Sequence, residues 1–223
     1  MKRTKLADRV LPSYTKGEEV FNMVSHIVGG SLGIVYLALC VIFAALHGNP
    51  WGVVGSAIYG ASVIMLFTMS SVYHGVRPEK AKKVLQVIDH CTIYFMIAGT
   101  YTPFTLCTLR LISPVMGWVV FGVIWGMAAL AVTLTAIDLK KYSKFSMICY
   151  IGMGWCIVFT AVPLFRALGF TGSALLLGGG IMYTVGAVLY GLGKKKAYVH
   201  SVFHIFVVLA SIMHFFCIFF YVI

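Results

Sequence analysis

The chain has 223 residues, of which 61% are hydrophobic and 10% charged, with a formal net charge of +11. Soluble domains carry about 25% charged residues, so this composition excludes an ordinary soluble fold and points to lipid as solvent. The positive charge suggests nucleic acid, but the basic residues sit in alternate loops between apolar runs, a pattern of membrane topology and not of nucleic-acid binding.

In chain order, Thr15-Lys16-Gly17-Glu18 matches a capping box and predicts a helix start that runs on into the membrane. Residues 1–22 read as a cytoplasmic segment with a short helix. A spanning helix needs about 20 apolar residues. Such runs lie at 23–46, 52–74, 84–108, 113–136, 144–165, 170–192 and 199–222. They are separated by His47-Gly48-Asn49-Pro50, Arg77-Pro78, Ser113-Pro114, Asp138 to Lys141, Arg166 to Gly169, and Gly193 followed by Lys194 to Lys196. The separation at Arg166 to Gly169 is the weakest. Pro103 and Pro163 are expected to kink the third and fifth spans. Gly178-Gly179-Gly180 suits close helix packing.

Loop charges set the orientation. Lys2, Arg3, Lys5, Arg9 and Lys16 precede the first span. Arg77, Lys80, Lys82 and Lys83 follow the second, Lys140, Lys141 and Lys144 the fourth, and Lys194, Lys195 and Lys196 the sixth. The other loops hold only Arg110 and Arg166 of the 17 basic residues. Positive residues stay inside. The expectation is therefore a single all-α domain over 1–223, a seven-transmembrane bundle in the cell membrane with a cytoplasmic N-terminus and an extracytoplasmic C-terminus. The first run exceeds the roughly 7–15-residue core of a signal peptide, so it is expected to stay in the membrane. The six cysteines contain no C-x-x-C pair and read as small buried hydrophobes.

Ionisable residues inside spans are costly and mark function. His74 ends the second span, Asp89 and His90 open the third, and His200 and His204 open the seventh, all at the inner level. His200 and His204, four apart, share a helix face and can grip one ion. Ser70 lies one turn deeper than His74. Three neutral imidazoles with one open position form a catalytic-type zinc shell, whose bound water has its pKa lowered to about 7. Asp89 is the candidate general base, and Ser70 a hydrogen-bond donor to the water or a ligand oxygen. Imidazole-rich sites also suit iron, nickel or copper.

Other readings stay open. The histidines can snorkel toward head groups, and Asp89 can pair with Lys82 or Lys83. His90 points away from Asp89 and reads as structural. Glu19, Asn22 and His26 form a stripe that lines the same vestibule or supports a ligand, with His26 a possible fourth ligand. His214 lies about 20 Å above His200, too far to share the ion. No span interior has a lysine for retinal, and Ser201 follows His200 where an H-E-x-x-H protease has glutamate.

Ser70-Ser71-Val72-Tyr73-His74, Asp89-His90-Cys91-Thr92-Ile93-Tyr94 leading into Ile97 to Phe104, and His200-Ser201-Val202-Phe203-His204 resemble the hemolysin III family. Glu19-Val20-Phe21-Asn22 with Ser25-His26 fits its N-terminal pattern. That family belongs to the progestin and adipoQ receptor superfamily, grouped more widely with alkaline ceramidases. The resemblance covers essentially the whole chain. It implies a seven-helix bundle with the N-terminus inside, and zinc held by His74, His200 and His204, with Asp89 and Ser70 close to the zinc-bound water. It also implies a hydrolase of lipid amides, with membrane lipids as surroundings and a lipid as substrate. A non-enzymatic regulator with structural zinc and a pore-forming cytolysin are the competing functions.

Overall fold

The computed structural model describes residues 4–192 and 196–223. Lys2, Arg3, Gly193, Lys194 and Lys195 of the loop-charge pattern lie outside them. The described residues form helices α1 Lys16–Leu46, α2 Pro50–Gly75, α3 Glu79–Pro103, α4 Arg110–Ile112, α5 Pro114–Ile137, α6 Ser143–Trp155, α7 Ala161–Leu192 and α8 Val199–Tyr221. No strand occurs among them.

The helix starts follow local chemistry. Thr15 caps α1 through the expected box: its Oγ1 accepts from the Glu18 N–H at 3.2 Å, and the Glu18 carboxylate accepts from the Thr15 N–H at 2.9 Å. Asn49 caps α2, accepting from Gly52 N–H at 2.8 Å, and Ser113 caps α5. Both caps are followed by a proline, whose missing N–H costs nothing at the first helical position. Pro103 ends the regular part of α3, and the chain passes through a π-helical segment, Phe104–Leu109, into α4. The kink expected at Pro163 appears upstream as a 3-10 segment at Cys156–Thr160. Proline cannot donate to the carbonyl four residues back, here Phe159, and its ring crowds that carbonyl.

Among the described residues, six helical stretches are long and apolar enough to cross a membrane: Lys16–Leu46, Pro50–Gly75, Glu79–Ile112, Pro114–Ile137, Ser143–Gly191 and Val199–Tyr221. Large apolar side chains on the outer surface, such as Phe159 (91% exposed) and Phe170 (79%), fit lipid contact, since soluble surfaces avoid such patches. The expected fifth and sixth spans are joined in one stretch of 49 residues. No loop separates them. The sequence break is instead a single residue inside the stretch, Gly169, at φ 65°, ψ −172°. Only glycine adopts that backbone without strain.

Glycines let helices approach. A Cβ on Gly60 of α2 would sit 2.6 Å from Leu37 Cβ and 2.8 Å from its Cα on α1. On α7, a Cβ on Gly178 would overlap Met213 and one on Gly179 would overlap the His214 ring, both on α8, which accounts for the two neighbouring glycines there. The core between α1, α2 and α8 is aromatic, with Tyr36, Tyr59, Phe67 and Phe215 buried together.

Candidate metal centre

The centre forms where the N-terminal ends of α1 and α8 meet the C-terminal end of α2. Glu18 ties these ends: one carboxylate oxygen completes the α1 cap, and the other accepts the Tyr198 N–H at 2.8 Å, just before α8. Tyr198 is in the left-handed region, φ 60°, so the chain turns sharply into α8. That turn delivers His200 and His204 to the last turn of α2, which carries His74.

His74, His200 and His204 are all buried, and one ring nitrogen from each lies within 4.8 Å of the others. The Nε2 atoms of His200 and His204 face each other at 3.0 Å. The Nδ1 of His74 is 2.6 Å from Glu19 Oε2, and the other Glu19 oxygen is 2.7 Å from Lys82 Nζ. Metal-binding histidines typically direct their second nitrogen to a carboxylate in this way. The donor set therefore fits a borderline cation: three buried imidazoles converge, and one is oriented by an anion. The two facing Nε2 atoms are at hydrogen-bond distance, so either one proton or one cation between them satisfies both.

The remaining expected residues fall around this cluster. Ser70, Asp89, His26, His200 and His204 line one cavity of about 200 Å³. Lys82 is engaged by Glu19, and Lys83 by Glu79 and the Ala7 carbonyl, so neither pairs with Asp89. The neighbour of the Asp89 carboxylate is His90, at 3.5 Å. His90 itself contacts the Gln86 carbonyl and the Tyr190 hydroxyl, at 2.8 and 3.1 Å. His26 stacks on His204 with centroids 3.8 Å apart, but its nitrogens are not among the converging donors. Both its nitrogens and the Asn22 amide are buried without a hydrogen-bond partner among the described residues. Glu19 is thus the member of the N-terminal stripe whose side chain hydrogen-bonds a candidate ligand, while His26 packs on one.

The cavity is elongated. It runs beside α8 from His200 through His204 and Val207 to His214, about 20 Å at the helical rise. Its wall is mostly apolar, with Leu66, Ile93, Met96 and Phe104 among the lining side chains. His214 stands at the far end and contacts the Leu176 carbonyl at 3.1 Å. Tyr14 closes the other end, stacked on His200 with centroids 4.8 Å apart and rings inclined by 18°. Burial holds the Tyr14 phenol above its ordinary pKa, so the ring stays neutral. No spacing rule marks Tyr14. Its nearness to the α1 cap is its only signal in the sequence.

A profile described as haemolysin-III related matches residues 14–215. The chain belongs to the haemolysin-III-related family. Hemolysin-3 of Bacillus cereus is 40% identical over 205 residues, covering 92% of each chain. A hemolysin-3 homolog of Bacillus subtilis is 36% identical over 208 residues, 93% of this chain and 96% of that relative. The human monocyte to macrophage differentiation factor is 28% identical over 183 residues, 78% of this chain and 72% of the relative. Together with the six apolar helices, membership in the haemolysin-III-related family identifies a multi-pass membrane protein. The matched region contains every residue of the cluster, from Tyr14 to His214.

Proposed function

We propose that this protein is a zinc-dependent membrane hydrolase acting on a lipid or another amphiphilic amide. One observation carries the reading: three buried imidazoles converge, and two of them, His200 and His204, line a long apolar cavity together with Asp89 and Ser70. His74, His200 and His204 would hold the metal. Zinc, when bound, supplies a Lewis acid and lowers the pKa of water to about 7. Asp89 accepts a proton from the attacking water, and the Ser70 hydroxyl donates to the substrate carbonyl oxygen. A C–O bond forms, the C–N bond breaks, and the proton passes from Asp89 to the leaving nitrogen, giving an acid and an amine. The apolar cavity holds the chain of the substrate.

We also infer seven crossings with the N-terminus inside. A continuous helix of 49 residues would extend about 73 Å, over twice the roughly 30 Å apolar core of a bilayer. The break at Gly169 divides it near its middle. The basic loops support the orientation. The topology is tested with an impermeant thiol reagent on intact cells expressing the protein with its six cysteines replaced and either Phe170→Cys or Lys141→Cys added: outside labelling is expected at 170 and absent at 141.

A second reading has support of its own. The cluster joins α2 to α8, so a metal there would brace these two helices against each other without chemistry. Metal content and fatty-acid release from an N-acyl amide in proteoliposomes separate the two. The hydrolase reading requires Asp89→Asn to keep its metal and lose release. The brace reading requires the same variant to behave as wild type. A lytic role, which the names of the Bacillus relatives suggest, predicts metal-independent dye release from liposomes, whereas the hydrolase leaves the vesicles sealed.

A further inference from the structure

The segment before α1 is fastened across the ends of α3 and α5. The Thr4 N–H donates to Asp138 Oδ2 at 2.7 Å, and Lys83 Nζ donates to the Ala7 carbonyl at 3.0 Å. Between this segment and the helices lies a recess of about 630 Å³, apart from the metal centre, lined by Thr4, Lys5, Arg9, Val84, Val87 and Ile88 among others. Arg9 is only 7% exposed. Its Nε and Nη1 have no hydrogen-bond partner among the described residues.

The acids nearby are engaged or unpaired with it. Asp138 accepts from Thr4 and Lys141, Glu79 pairs with Lys83, and no ion pair joins exposed Asp8 to Arg9. Burying a guanidinium with its donors unmade is costly, and the cost is removed by an oxyanion that takes the planar fork two bonds at a time. The wall opposite Arg9 is apolar. Val84 (43% exposed) and Ile88 (39%) continue it onto the outer surface in the first turns of α3. A free anion has no use for that wall, whereas the first carbons of an acyl chain do.

We propose that this recess binds the phosphate of an anionic lipid, with Arg9 as the buried anchor and Lys5 at the rim. Basic pockets between spans on the cytoplasmic side suit such head groups. The site is independent of the metal reading and rests on the membrane location and on the N-terminus-inside orientation proposed above.

The test uses the full chain in detergent micelles, with native mass spectrometry reading bound lipid. The probes are phosphatidylglycerol, phosphatidylcholine and inorganic phosphate. Phosphatidylglycerol is expected to bind at one copy per chain, about tenfold more tightly than to Arg9→Gln. Phosphatidylcholine is expected to be lost at the same lipid level, and millimolar inorganic phosphate to leave the bound lipid in place. Undiminished binding in Arg9→Gln overturns the proposal, as does equal retention of phosphatidylcholine. Displacement by inorganic phosphate would mark a free-anion site and overturn the lipid assignment. If Arg9→Gln does not fold, Lys5→Gln carries the test: a loss of about threefold is expected, and unchanged binding overturns the proposal.

Discussion

Glu19 holds the Nδ1 of His74 at 2.6 Å while its other oxygen is held by Lys82 at 2.7 Å. The carboxylate thus fixes which nitrogen of His74 is free to face His200 and His204. Supporting carboxylates of this kind contribute about 10–100-fold to metal affinity. Glu19→Gln should therefore weaken zinc binding by that range in chelator competition while the helical content stays unchanged. Affinity equal to wild type would separate Glu19 from the site.

Removing a ligand has a larger effect. Purified wild type is expected to carry about one metal per chain, and His74→Ala, His200→Ala and His204→Ala close to none, by elemental analysis. Full retention in His200→Ala would refute the assigned triad.

Asp89 separates chemistry from architecture. Asp89→Asn should retain metal and thermal stability and lose about 10²–10⁴-fold in amide hydrolysis, because the amide cannot take up a proton. The comparison is made at equal metal content.

Asp138 predicts a pH effect at the membrane surface. The backbone N–H of Thr4, foremost, and that of Lys141 stabilise its carboxylate, pulling its pKa from 3.8 down to about 2. A depressed carboxylate contributes its full stabilisation above the unfolded value, and the contribution is lost as pH falls from there through about 2. Protection from hydrogen exchange at residues 4–11, relative to the free-peptide rate at each pH, should therefore hold down to about pH 4 and fall below it, and should already be lost at neutral pH in Asp138→Ala.

Gly60→Ala tests helix contact. Its methyl would overlap Leu37 Cβ and Cα, and the backbone atom has nowhere to go without moving α1. A loss of about 1–3 kcal/mol is expected, read as a lowered Tm in detergent.

Some of this was legible in the sequence because it rests on local rules. The box at Thr15 and Glu18 needs only spacing, and it forms as expected. His200 and His204 share a face because they are four apart, and the loop charges brought His74 to their level. Gly169 marked a break, but whether a glycine interrupts a helix with a loop or with one residue depends on packing on either side. The choice of Lys82 for Glu19 over Asp89 depends on how α1 and α3 meet, and the placing of Tyr14 on His200 on how the N-terminal segment folds back. Neither leaves a periodic trace. The π-helical turn after Pro103 likewise depends on what surrounds the proline.

The triad draws on the second helix and on the last one. While the chain is being made, His74 reaches the bilayer long before His200 and His204 exist, so no shorter nascent chain can assemble the three-nitrogen set. Any metal loading at the triad would therefore be a late event in biogenesis, one that reports that α8 has inserted and docked.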